Sequence, residues 1–104
     1  MSLTQEHPPI RTVGFIGLGN VGAKLAGSVL RAGYNLIVRD LDPAAGRDLC
    51  ARGARWAETA RAVAEASDLV ITCLPSPTIS AEVMEAPDGV LAGLGPDKIW
   101  LEMS

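Results

Sequence analysis

Val13-Gly14-Phe15-Ile16-Gly17-Leu18-Gly19-Asn20-Val21-Gly22 is the stretch that decides how this chain is read. It opens as a short apolar run with no polar alternation, the pattern of a strand covered on both faces. Gly14 inside that run predicts close approach by a helix or a neighbouring backbone. Gly17, Gly19 and Gly22 then satisfy G-x-G-x-x-G, and an amphipathic helix follows. The next apolar run ends in an acid, Asp40. Strand, glycine turn, helix, second strand and acid together form the context that a dinucleotide-binding turn requires; the glycine pattern by itself is weak.

Each position has a physical reason in that reading. The first glycine permits the tight turn, and the second lets a pyrophosphate approach the backbone. The third lets the helix pack close to the strand. The helix N-terminus at Asn20 and Val21 then offers N–H groups and the positive end of its dipole to phosphate charge. A carboxylate at Asp40 accepts hydrogen bonds from ribose hydroxyls and repels a 2′-phosphate, which favours NAD over NADP. Arg39 leaves NADP open, because a guanidinium over the ribose would offset part of that repulsion.

Outward from this turn, apolar runs alternate with helical patterns. Strands are expected over 12–16, 35–40, 54–57, 69–74 and 98–103. Helices are expected over 20–32, from the Asp42-Pro43 cap to about Arg52, over 58–66 and over 78–85, with a short helical or irregular piece at 90–94. Gly33 and Gly53 are placed to end the helices before them. Such alternation implies right-handed crossovers and a doubly wound parallel sheet of Rossmann type, with strand order 3-2-1-4-5. Ligands of such sheets sit beyond the C-terminal strand ends, where the order reverses. That places Cys73, Leu74 and Pro75 under the far half of a dinucleotide, with Glu102 and Ser104 on the same side.

Composition narrows the function classes. A 104-residue chain that is 48% hydrophobic and 20% charged can build one small core, so 11–104 is read as one domain after a loose tail over 1–10. A net charge of −3 and scattered basic residues argue against nucleic acid or a membrane surface as partner. No apolar run reaches spanning length and no secretory leader opens the chain, so a cytoplasmic location is expected. Cys50 and Cys73 lack metal or redox spacing and are read as small buried hydrophobes. No metal site is expected. No catalytic set is visible either: His7 lies in the tail, the serines have no base, and Glu82 and Glu85 read as a solvated helix face.

Several segments resemble the β-hydroxyacid dehydrogenases, the family of 3-hydroxyisobutyrate and 6-phosphogluconate dehydrogenases; imine reductases are built similarly. The resemblance rests on 14–22, on Ala32-Gly33-Tyr34, on Ser67 to Pro75, on Asp88 to Leu94 and on Glu102-Met103-Ser104. Val21 stands where the family usually has Met, and Glu102 where it has Asp. The resemblance implies a pyrophosphate site at Gly17, Leu18, Gly19, Asn20 and Val21, a ribose contact at Asp40, cofactor contacts at Leu74 and Pro75 and a substrate contact at Ser104; the glycine pattern adds Gly22 to the cofactor-binding set, and the end of strand four adds Cys73. It also implies NAD, since NADP-selective members show Asn-Arg where this chain has Asp40-Leu41. The family's catalytic lysine, later strands and all-helical second domain would lie beyond Ser104. The expectation is therefore an NAD-binding domain of an oxidoreductase that acts on the hydroxyl of a small 3-hydroxy acid, inactive as this chain alone. The alternatives are the front half of an imine reductase-like enzyme and a non-enzymatic nucleotide-binding module. Without its later neighbours strand five would be an open edge, so homo-oligomerisation through it is expected.

Overall fold

The structure, a computed structural model, describes residues 9–74 and 77–103. Five parallel strands run β1 Thr12–Ile16, β2 Asn35–Arg39, β3 Arg55–Trp56, β4 Leu69–Thr72 and β5 Ile99–Glu102. Their order in the sheet is β3-β2-β1-β4-β5, as the alternation of elements required. The helices are α1 Asn20–Arg31, α2 Arg47–Ala51, α3 Ala60–Ala66, α4 Pro77–Glu85 and α5 Val90–Gly93. The order reverses at β1, which pairs with β2 on one side and β4 on the other.

The central strands are apolar on both faces because both faces are covered. Val13, Phe15, Leu36, Val38 and Ile71 form one core with Leu18, Ala26 and Leu49, against α1 and α2. Ile16, Ile37 and Val70 form the other with Val63, Ala64, Met84 and Val90, against α3, α4 and α5. Gly14 marks the close approach that its position predicted: a Cβ there would strike Val63 and Ser67 of the α3 segment.

Two local features depart from the sequence reading. The helix expected from Pro43 to about Arg52 is split into a 3-10 turn, Pro43–Gly46, and the single α-helical turn and a half of α2. Gly46 is the junction, buried where a Cβ would meet the Trp56 ring at 2.8 Å. Val21, whose spacing with Leu25, Ala26 and Val29 puts it on the apolar stripe of α1, is instead 61% exposed. The buried positions of that helix are Gly22, Ala26 and Gly27.

Two sets of polar ties lie at the opposite end of the sheet from the glycine turn. Asp68 Oδ2 accepts from the backbone N–H groups of Arg11 at 2.9 Å and Thr12 at 3.0 Å, which joins the starts of β1 and β4. Lys98 Nζ donates to three carbonyls, Ala64 at 2.8 Å, Glu65 at 2.7 Å and Ser67 at 2.8 Å, and so caps the end of α3. The last carbonyls of a helix lack intrahelical N–H partners; that of Ala64 also accepts from the N–H of the C-cap residue Ser67 at 3.4 Å. β5 is exposed along its whole length, with Ile99, Trp100 and Leu101 at 38%, 39% and 47%.

Candidate dinucleotide site

The site is built where β1 hands over to α1. Gly17 carries φ +98°, a conformation open to glycine and costly for other residues. Its N–H donates to the Arg39 carbonyl at 3.0 Å, and the Cys73 N–H donates to Ile16 at 2.9 Å, so the turn is sewn to the ends of β2 and β4. A Cβ on Gly17 would land on the Cys73 carbonyl. A Cβ on Gly22 would land on the carbonyl of Gly17, so the first turn of α1 can cross this close only without a side chain there.

Gly19 is different. A Cβ there would meet nothing within 4 Å, and its backbone, at φ −67° and ψ −172°, suits any residue. Neither packing nor backbone strain explains glycine at this position. Gly19 is the N-cap of α1, has no side chain to bond the helix's first N–H groups, and precedes a first turn without an acidic residue. The first N–H groups of a helix have no intrahelical acceptors. An uncapped N-terminus facing open space is suited to an anion.

Asp40 follows directly on the end of β2. Its Oδ2 accepts from the Leu18 N–H at 2.7 Å, and its Oδ1 accepts from the Asp42 N–H at 2.9 Å. Asp42 in turn accepts from the Ala44 N–H at 3.0 Å and starts the 3-10 turn. The Leu18 side chain does not face the site; it is 5% exposed in the α1-side core.

A cleft of about 400 Å³ opens between these parts, lined by Gly19, Asn20, Val21, Gly22, Asp40, Cys73, Leu74 and Met103. All of these but Met103 are residues predicted from sequence, and with Gly17 and Leu18 they come together at one end of the sheet. Pro75 and Ser104 lie outside the described residues. Cys73 is half-buried with a free thiol, as is Cys50; the sequence reads both as small buried hydrophobes.

Sequence reasoning missed two parts of the site. Met103 completes the cleft wall beyond β5. A second hollow of about 210 Å³ lies on the other side of Asp40, walled by Arg39, Leu41, Thr59, Ile79, Glu82 and Val83 among others. Arg39, the last residue of β2, and Leu41, in the bend beyond it, line this hollow, whereas Asp40 between them lines the cleft; no local pattern signals this, because Asp40 and Leu41 lie past the strand. Arg39 does not reach over Asp40: its Nη1 donates to the Ala57 carbonyl at 3.2 Å. Glu82 is exposed, as its reading as a solvated face required, and forms part of this rim. Among the described residues no cluster of His, Cys, Asp or Glu could hold a metal ion, and no helix is long and apolar enough to cross a membrane.

Comparison with known proteins agrees with this geometry. Residues 12–104 match the family model of the NAD-binding domain of 6-phosphogluconate dehydrogenase. The NAD-dependent L-serine dehydrogenase of Pseudomonas aeruginosa is 39% identical over 95 residues, which cover 91% of this chain and 32% of that protein. The mitochondrial 3-hydroxyisobutyrate dehydrogenase of Rattus norvegicus is 36% identical over 92 residues, 88% of this chain and 28% of the enzyme. Among solved structures, an imine reductase from Pseudomonas sp. superposes with a TM-score of 0.75 at 30% identity, over 90% of this chain and 32% of that one. The chain thus spans about a third of the length of the curated relatives it matches. It belongs to the family of NAD-binding domains found in 6-phosphogluconate dehydrogenase and the hydroxyacid dehydrogenases related to it.

Proposed function

We propose that this chain holds NAD(H) for an oxidoreductase that acts on the hydroxyl of a small 3-hydroxy acid, and that the catalytic lysine is supplied by residues outside this chain. The observation that carries the reading is Gly19: open space at its Cβ position, an uncapped helix N-terminus behind it and a cleft in front. In this reading the pyrophosphate lies over Gly17, Gly19, Asn20 and Val21, and Gly22 lets α1 start close beneath it. Asp40 takes the adenine ribose. The hollow between Leu41, Ile79 and Val83 takes the flat apolar base. Cys73, Leu74, Pro75 and Met103 flank the nicotinamide half, and Ser104 faces substrate. The nicotinamide ring, when bound, supplies the hydride exchange; this chain's residues bind and orient it.

NAD is favoured over NADP because Asp40 is a fixed anion beside the ribose and Arg39 is turned away to the Ala57 carbonyl. A hydroxy acid is favoured over an imine by the resemblance of Glu102-Met103-Ser104 to the hydroxyacid enzymes, whereas the structural similarity to imine reductases supports the second reading. Titration of the chain with NADH and NADPH, followed by nucleotide fluorescence, tests the proposal. Saturation by NADH in the millimolar range or tighter, with weaker NADPH binding, supports it. No saturation by either nucleotide with the fold shown intact by circular dichroism refutes it. Activity of a protein carrying this domain and its downstream residues, assayed on 3-hydroxyisobutyrate, serine and a cyclic imine, separates the two substrate readings.

A further inference from the structure

The Asp40 carboxylate already has work to do before any nucleotide arrives. Its two oxygens accept separate backbone N–H groups, one from the glycine turn and one from the loop after β2. Leu18 cannot swing away to another acceptor, because its side chain is buried in the α1-side core. The neighbouring tie, Gly17 N–H to the Arg39 carbonyl at 3.0 Å, fixes only the first residue of the turn. The N–H of Leu18, one residue further on, is held by Asp40.

We infer that Asp40 is a positioning residue for the glycine turn, latching it in the pyrophosphate-ready shape, in addition to its proposed contact with the ribose; the inference rests on the dinucleotide reading of this cleft. Acceptor arithmetic makes the two roles compatible. An ionised carboxylate offers about four lone-pair positions. Two are taken by Leu18 and Asp42, and those left match a vicinal diol that donates two hydrogen bonds. A 2′-phosphate brings no donor at neutral pH and meets a carboxylate held at both ends, which cannot rotate aside.

The test separates the latch from the ribose contact with Asp40→Asn and Asp40→Ala, two variants matched in charge. The first retains one acceptor oxygen and the second has none. The probes are ADP and 2′,3′-dideoxy-ADP, the latter without the diol, measured by isothermal titration. Amide hydrogen exchange of Leu18 is followed without ligand. The latch predicts that Leu18 exchanges about tenfold faster in Asp40→Ala than in wild type, the equivalent of one lost hydrogen bond. Phe15 and Val38, in the core, should not change. It also predicts that dideoxy-ADP, which has no diol for either side chain to hold, binds about fivefold more weakly to Asp40→Ala than to Asp40→Asn, although neither variant carries the charge. Equal dideoxy-ADP affinity in the two variants, or unchanged Leu18 exchange, overturns the inference. If Asp40→Ala does not fold, Asp40→Asn decides: with one acceptor for two donors, the Leu18 or Asp42 amide must exchange faster than in wild type, and no change at either overturns it. Failure of the wild-type chain to bind ADP refutes the dinucleotide reading instead, and Leu18 exchange then tests the latch by itself.

Discussion

Gly19→Ala separates what the glycine turn does for the fold from what it does for a ligand. The new methyl group meets nothing within 4 Å, and the backbone at φ −67°, ψ −172° accepts alanine without strain. Two small terms act on stability. Alanine is a poorer N-cap than glycine, while it costs the unfolded chain less entropy to order; each is worth up to about 1 kcal/mol and they oppose one another. The net change in unfolding free energy should be within about 0.5 kcal/mol. Binding should respond differently. A phosphate oxygen must come to about 2.9 Å from the N–H groups it accepts from, and the methyl occupies the space through which it approaches. Losing one charge-assisted hydrogen bond of about 1.5–3 kcal/mol corresponds to roughly a 10- to 150-fold loss of affinity. Urea unfolding and NADH titration on the same preparation measure both quantities. A variant that binds NADH within twofold of wild type with an intact fold would refute the assignment of Gly19 to the pyrophosphate. A variant that loses several kcal/mol of stability would refute the claim that its Cβ position is open.

Gly17→Ala should do the opposite: with φ at +98° and the Cys73 carbonyl in the way, we expect no cooperative unfolding transition at all, as read by circular dichroism. Lys98→Met should lower stability by about 1–3 kcal/mol in urea unfolding, because three carbonyls at the end of α3 lose their donor; NADH affinity, measured on the folded variant, should be unchanged. The self-association expected from the exposed Ile99, Trp100 and Leu101 along β5 is checked by light scattering over a concentration series, where a clean monomer at high concentration counts against it. Asp68 supplies the pH prediction. The N–H groups of Thr12 and Arg11 hold its carboxyl below the usual 3.8, with the charges of Lys98 and Arg11 acting in the same direction and burial opposing them. A carboxyl with its pKa depressed by folding stabilises in full above its unfolded pKa, and that stability is lost as pH falls through the folded value. The stability difference between wild type and Asp68→Asn should therefore be constant near neutrality and shrink below about pH 4; a gap that widens with acid would contradict this assignment.

The strand order was legible because three apolar runs without alternation, around Val13, Ile37 and Val70, leave few other ways to cover both faces. The glycine turn was legible because backbone sterics at Gly17 and close packing at Gly22 leave almost no alternative residue. Other features rest on long-range geometry that a local pattern does not carry. Gly46, at the junction of the 3-10 turn and α2, lies where the Trp56 ring leaves no room for a Cβ, and it is β3 that brings that ring alongside. Val21 has the spacing of an inward residue, yet it falls in the first turn of α1, which overhangs the cleft rather than the sheet. Lys98 reads as one more surface cation, and becomes a helix cap only because β5 starts beside the end of α3.

Asp40 shows where the two kinds of information meet. Its position at the end of β2 could be read from the acid's spacing to the turn, and that was enough to suggest a ribose partner. Its bond to the Leu18 N–H could not, since it depends on β1 and β2 ending level, with Ile16 paired to Arg39. That register brings the residues just past each strand together, so one side chain faces the cleft and grips the turn. Asp40 lines one hollow, and Arg39 and Leu41 on either side of it line the other. In the proposed reading, a single short strand end therefore sets the shape of the turn and the charge beside the ribose, and supplies one wall of the hollow for the base. A change at position 40 should move cofactor preference and turn order together, while a change at Leu41 should affect adenine-containing ligands alone. Leu41→Ser, compared with wild type for binding of ADP and of inorganic pyrophosphate, checks this without adding charge: weaker ADP with unchanged pyrophosphate is expected, and an equal loss of both would show that the end of β2 does not divide its work in this way.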